Sequence, residues 1–125
     1  MKPDFTSFTE PQRRALLDLL CLARYIDGHL DAIEDARLEA LLNAMGYDTE
    51  YDRQRELDAA VTRVRPHTQP PQSARTHAIN LTKNFTEREQ QRQVYAALES
   101  IVTSDAHITT GESQLLEELR GRFRL

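Results

Sequence analysis

The hydrophobic residues of this chain recur at helical spacing along most of its length, whereas the alternating pattern typical of strands is scarce. A helix start is indicated at Thr9, with Pro11 in the first turn and Gln12 able to complete a capping box. The segment that follows has few polar positions, so we expect a central helix contacted on most of its sides. Its apolar residues are Leu16, Leu17, Leu19, Leu20, Leu22, Ala23 and Ile26.

The remaining pattern predicts five further helices. Gly46 is expected to end the second helix and Pro66 the third, since glycine favours helix C-termini and proline cannot continue a helix. Thr86 and Glu89 form another capping-box pattern, which opens the fifth. The predicted ranges are 31–45, 49–65, 74–84, 86–102 and 109–119.

These elements predict an all-α fold. We expect one domain over residues 1–125, a compact bundle of about six helices built from two related helix–loop–helix units. The first hairpin spans 8–46 and the second 86–122, and 66–73 is a proline-rich linker.

The composition is typical of a globular protein and argues against two classes of partner, membranes and nucleic acids. Hydrophobic residues make up 39% and charged residues 29%, and no apolar run approaches the ~20 residues of a membrane span. The N-terminus lacks the order of a signal peptide, so we expect a cytoplasmic protein without direct membrane insertion. A net charge of −4 argues against nucleic-acid binding. Cys21, the single cysteine, lies among leucines and is expected in the core.

Basic residues cluster at two places, around Arg53 to Arg55 and in the terminal RGRFRL. We interpret both as solvated helix faces or a frayed tail rather than as phosphate-binding patches.

An internal repeat relates the two hairpins. Asp105 follows Asp27 by 78 residues, and Glu112 follows Glu34 by the same 78. Apolar positions repeat at this offset, and His29 falls on His107. Each unit therefore carries an Asp at the end of its first helix and a Glu in the first turn of its second. Two alike hairpins can bury their apolar first helices against each other, so we expect these two helices to be neighbours.

The acidic stretch from Asp27 resembles the second half of an EF-hand loop. A complete loop also needs oxygen ligands at its first and third positions, where this chain has Ala23 and Tyr25. Ala23 has no side-chain oxygen and Ile101 occupies its place in the second unit, so neither unit is an EF-hand.

The paired motifs resemble those of the TerB-like domains, named after a tellurite-resistance protein and also found at the N-terminus of a membrane-anchored J-domain co-chaperone. The shared signature is Asp-Gly-x-aliphatic-x-x-x-Glu, present here as Asp27 to Glu34 and, with Ala106 in place of Gly, as Asp105 to Glu112. The resemblance implies a compact helical domain with a metal-binding acidic surface formed by Asp27, Glu34, Asp105 and Glu112. Ala106 puts the shape of the second loop in doubt, because a left-handed backbone there would cost about 1 kcal/mol.

The identity of an ion depends on its ligands. Oxygen ligands alone favour calcium or magnesium, whereas a site that also included His29 or His107 could bind zinc or another transition metal. Each glutamate also has a structural interpretation, because Asp31 with Glu34 and Thr109 with Glu112 have capping spacing.

Three classes of function stay open, and an enzyme is the least supported. We find no Glu-x-x-His, no His-Asp dipeptide, no glycine-rich phosphate loop and no His-Pro-Asp of a J-domain. The favoured hypothesis is a non-enzymatic, divalent-metal-responsive protein-interaction domain of a bacterial stress system. The alternative is a metal-independent acidic adaptor or co-chaperone-associated module with a protein partner. The oligomeric state does not follow from the sequence.

Overall fold

Six α-helices and one short 3-10 helix make up the part of the chain that the structure describes. This computed structural model describes residues 4–27, 36–102 and 110–125, with the backbone alone at 24–27, 71, 110 and 112. Those residues contain no strand, so the all-α prediction is confirmed. The elements are α1 (Glu10–Asp27), α2 (Ala36–Ala44), α3 (Glu50–Val64), the 3-10 helix (Arg65–His67), α4 (Pro71–Thr82), α5 (Arg88–Val102) and α6 (Thr110–Phe123).

Helix α1 is the centre of the bundle, as its sequence predicts. It packs against α3, α4, α5 and α6. Its leucines and Cys21 are buried, so the apolar residues that surround the helix meet neighbours on most sides. None of the described helices is long and apolar enough to span a bilayer.

N-terminal caps form at two helices, and the one at α1 is the capping box that the sequence predicts. At α1, the Thr9 N–H donates to Gln12 Oε1 at 2.9 Å and the Gln12 N–H donates to Thr9 Oγ1 at 3.3 Å, which completes the capping box. At α3, Thr49 accepts from the Asp52 N–H at 3.0 Å. Helix α5 begins at Arg88, two residues after Thr86.

The stop signal at Gly46 also acts as predicted. Gly46 has φ of +101°, and the Tyr47 N–H donates to the Leu42 carbonyl at 3.1 Å, the pattern of a Schellman turn. The predicted start of this helix, Asp31, lies outside the described residues, among which α2 begins at Ala36.

The proline-rich segment is shorter and more ordered than the sequence indicates. After α3, residues Arg65–His67 form the 3-10 helix, and α4 begins at Pro71 rather than at Ala74. The start is earlier because Pro71 occupies the first helical position, where the missing N–H would have no helical partner. The Gln69–Pro70 peptide bond is cis.

The terminal RGRFRL stretch is a helix end and not a frayed tail. Helix α6 continues to Phe123, whose side chain is buried. The Arg88 guanidinium donates to the carbonyls of Phe123 and Arg124, which fixes this end against the start of α5. Arg122 and Arg124 are exposed, in agreement with a solvated face.

The two hairpins pack against each other. Helix α1 contacts α5 and α6, and α2 contacts α5. The Arg37 guanidinium on α2 donates to the Ser100 carbonyl on α5 at 3.3 Å. The first helices of the two units are therefore neighbours, as the repeat predicts.

Candidate functional site

The four acids of the repeat fall at helix ends or outside the described residues. Asp27 is the last residue of α1, and Glu112 lies in the first turn of α6. The side chains of both, and all of Glu34 and Asp105, lie outside the described part of the chain. Within that part, no group of three or more His, Cys, Asp and Glu is placed to hold a metal ion. The metal ligands predicted from the sequence therefore stay a prediction.

A contact between equivalent residues relates the two halves. Gln12 on α1 and Gln90 on α5 are separated by the repeat offset of 78 residues. Each side-chain amide donates to the carbonyl oxygen of the other, and both distances are 3.1 Å. Such a reciprocal pair is the contact expected on an approximate two-fold axis. Beside it, the rings of Phe8 and Phe85 lie 5.6 Å apart.

Further bonds of the two glutamines join the same region. The Gln12 amide also donates to the Asn84 carbonyl at 2.8 Å, and the Gln90 amide donates to the Ser7 carbonyl at 3.3 Å. Each glutamine thus reaches the segment that precedes the other's helix. With a rise of about 1.5 Å per residue, Asp27 lies about 22 Å from Gln12 along the α1 axis. Asp27, the first residue of the first acidic motif, is therefore at the end of α1 remote from the Gln12–Gln90 contact.

A buried ion pair joins α1 to α3. Arg63 Nε lies 3.0 Å from Asp18 Oδ1 and 3.2 Å from Asp18 Oδ2, and Arg63 Nη2 lies 2.8 Å from Oδ1. The Asp18 side chain is 8% exposed and that of Arg63 is 35% exposed. The aspartate is therefore held inside the apolar core by a guanidinium that reaches the surface.

Two histidines stack at the junction of α3 and α4. His67 ends the 3-10 helix and His77 is on α4; their ring centroids are 3.9 Å apart and the rings are inclined by 13°. Neither histidine has a counterpart at the 78-residue offset of the repeat, so the repeat gives no indication of this contact. Rings stacked face to face present their nitrogens side by side, so in this arrangement they do not converge on one metal ion.

Electrostatic effects connect these two features. Burial raises the pKa of the Asp18 carboxyl above its ordinary value, and the Arg63 and His77 charges oppose that rise. Burial lowers the pKa of His77, a positive charge on His67 lowers it further, and Asp18 partly offsets both. Asp18, Arg63, His67 and His77 therefore form one interacting set, which we call the Asp18–His77 cluster.

The Asp18–His77 cluster is the part of the molecule that sequence reasoning missed. A charged residue inside the apolar run of α1 does indicate that Asp18 needs a cation in the core. The sequence offers no rule for choosing Arg63 among the arginines, because the pairing depends on how α3 lies on α1.

Two open grooves flank α4. One, of about 380 Å³, is lined by the stacked histidines and by Pro70, Ser73, Thr76 and Asn80. The other, of about 770 Å³, lies between α4 and α6, where the Arg75 guanidinium donates to Gln114 Oε1 at 2.6 Å beside Glu117 and Glu118.

Comparison of the chain with protein-family models, curated proteins and solved structures gave no match. The resemblance to TerB-like domains therefore depends on the two acidic motifs alone.

Proposed function

We propose that this chain is a non-enzymatic protein-interaction domain that responds to a divalent ion and serves a bacterial stress system of the tellurite-resistance type. The observation that supports the proposal is the relation between the two halves. Gln12 and Gln90 occupy equivalent positions and bind each other reciprocally, which supports the relation between α1 and α5, the helices that precede the two acidic motifs in the sequence.

The proposed mechanism uses carboxylate oxygens as ligands. An ion would bridge Asp27 and Glu34 in the first unit, or Asp105 and Glu112 in the second, and so fix the angle of each hairpin. Calcium or magnesium is the first choice, because hard cations prefer oxygen. Asp27 ends α1, where its negative charge opposes the helix dipole by a few tenths of a kcal/mol. A bound cation would offset that cost and set the surface that a partner protein meets.

The test is the melting temperature of chelator-stripped protein with calcium, magnesium, zinc and manganese added separately. An ion that binds the folded state should raise the stability by about 2.7 kcal/mol at a hundredfold excess over its Kd. Asp27→Asn and Asp105→Asn should reduce or erase this rise. Asp58→Asn is the matched control, since Asp58 is an exposed acid on α3 that bonds only locally, to Gln54 at 2.7 Å.

Two results would contradict the metal-responsive function. A flat response to all four ions would leave the acids without an ion to bind. A rise that persists unchanged in both Asp27→Asn and Asp105→Asn would exclude these acids as ligands.

A metal-independent acidic adaptor is the second candidate. It is favoured by Glu117 and Glu118, which are exposed and line the larger groove beside α4. This function predicts a melting temperature that no ion changes, together with binding to a basic partner that weakens as salt is added. The ion series therefore separates the two functions.

A further inference from the structure

The junction of α3 and α4 combines three features in one place. The histidine stack links the 3-10 helix to α4, the smaller groove lies against the same residues, and the Asp18–Arg63 pair lies beneath on α1 and α3. The connection from Arg65 to Pro70 is otherwise held by local bonds. These include the Thr68 N–H to the Arg65 carbonyl at 3.3 Å and the Ser73 N–H to the Pro70 carbonyl at 2.8 Å.

Stacked imidazoles depend on protonation. Two neutral rings, or one neutral and one charged ring, can remain at 3.9 Å, but two imidazolium ions at that distance repel each other strongly because the site is partly shielded from water. His77 is half-buried and His67 is exposed, so the exposed ring can move into solvent when the repulsion arises. Such a movement would break the contact through which His67 joins the 3-10 helix to α4.

We propose that the His67–His77 stack is a proton-sensitive latch that holds the α3–α4 connection closed at neutral pH and releases it, opening the adjacent groove, in mild acid. This property is independent of the metal-responsive function, because it uses residues of the 3-10 helix and α4 and none of the acidic motifs. It adds to that function a second input, pH, of the kind that histidine commonly senses.

The charges that face the latch set its direction. Two charged groups act on His77: Asp18 from α1 and His67 from the 3-10 helix. The Arg63 guanidinium on α3 pairs with Asp18 and offsets its negative charge. On the α6 side, Glu117 and Glu118 line the neighbouring groove with Arg75 of α4. Asp18, the carboxylate that acts on His77, is therefore already paired with Arg63. For this reason it stabilises a second positive charge on the stacked rings less than an unpaired carboxylate would.

The pH window follows from the lowered pKa of His77. The folded state binds this proton less well than the unfolded chain, whose His pKa is near 6.5, so the closed state is fully stable above that pH and loses stability as pH falls below it. Asp18, with a raised pKa, acts in the opposite direction over a window that begins near its ordinary value of 3.8. The unsubstituted protein, His67→Gln and His77→Gln all retain Asp18, so its contribution to the pH dependence cancels when they are compared.

Hydrogen exchange at the Ser73 amide tests the latch, because its bond to Pro70 belongs to the connection. The Gln91 amide is the internal control, since it likewise donates to the carbonyl of the residue just before its helix, Glu87, at 3.0 Å. After correction for intrinsic exchange, Ser73 should lose up to about tenfold more protection than Gln91 between pH 7.5 and pH 5.5. In His67→Gln and in His77→Gln, this extra loss should disappear.

A second measurement is the titration of His77 by NMR. In His67→Gln, its midpoint should rise, because the positive charge that lowers it is gone. Equal changes at Ser73 and Gln91, an extra loss that survives both substitutions, or an unchanged His77 midpoint would each overturn the latch. Both substitutions are at positions that are exposed or half-buried, so the variants should fold.

Discussion

At the scale of single residues, the Asp18–Arg63 pair shows how one charge is kept in an apolar core. Asp18 lies on α1 among fully buried leucines, where an unpaired carboxylate would be strongly destabilised. Arg63 supplies a forked, bidentate partner, while about a third of its own side chain remains in contact with water. The two residues are therefore unequal: Asp18 depends on Arg63 more than Arg63 depends on Asp18.

This inequality predicts an asymmetric response to substitution. Arg63→Met should lower the free energy of unfolding by about 3 kcal/mol at pH 7, because it leaves a buried charge without a partner. Asp18→Leu should change it by less than about 1 kcal/mol, since a leucine suits the site and the exposed end of Arg63 stays hydrated. Urea denaturation of both variants measures the difference.

The double variant and a pH series provide the controls. Asp18→Leu with Arg63→Met should be nearly as stable as Asp18→Leu alone. The loss in Arg63→Met should shrink as the pH falls into the acid range, because a carboxyl with a raised pKa takes up a proton before an ordinary one does and then needs no cation. Equal losses in the two single variants at pH 7 would contradict the inequality.

At the scale of elements, the helix ends follow local chemistry. Thr9 with Gln12 and Thr49 with Asp52 satisfy first-turn N–H groups, and Pro71 begins α4 where no N–H is required. Gly46 ends the α2 region with a backbone conformation that residues with a Cβ rarely adopt. The ends were therefore predictable to within a few residues, although Pro71 was assigned to the linker rather than to the helix.

Two glycines should respond oppositely to alanine. Gly46→Ala should lower the free energy of unfolding by about 1–2 kcal/mol because of its φ of +101°. Gly121→Ala should raise it by about 0.5 kcal/mol, since Gly121 is helical and alanine restricts the unfolded chain. No atom lies within 4 Å of an added Cβ at either site, so backbone conformation alone decides the sign. Thermal unfolding measures both, and two shifts of the same sign would contradict this account.

At the scale of the whole molecule, two related hairpins are joined at an approximate two-fold contact. The Gln12–Gln90 pair joins the starts of α1 and α5, and the rings of Phe8 and Phe85 pack against each other beside it. Gln90 is buried, so its amide must be paired inside the protein. The junction of the two halves thus depends on a polar contact between equivalent residues.

A double-mutant cycle measures this junction. Gln12→Leu or Gln90→Leu alone should cost about 1–3 kcal/mol, because each removes one partner of the pair, and Gln12→Leu leaves the buried Gln90 Oε1 without the Gln12 donor. The double substitution should cost less than the sum of the two single losses by about 1 kcal/mol or more. The reason is that each single variant leaves one amide without its partner, and the double variant contains neither amide. Urea denaturation of the four proteins gives the coupling, and additive losses would mean that the amides act independently.

Sequence pattern by itself determined the all-α class, the central position of α1, the start of α1 at Thr9 and the stop at Gly46. Each of these depends on neighbours within one or two helical turns, so local spacing contains the information. The offset of 78 residues between Asp27 and Asp105 was also visible, and it predicted the packing of α1 on α5.

Tertiary structure alone decided which distant side chains meet. Arg63 pairs with Asp18, His67 stacks on His77 and Gln12 binds Gln90, across separations that no local periodicity describes. The physical reason is that a helix face specifies what is buried but not its partner, because many arrangements of six helices bury the same leucines. The packing of the apolar core fixes how the helices lie on one another, and this arrangement determines which polar and charged side chains are close enough to pair.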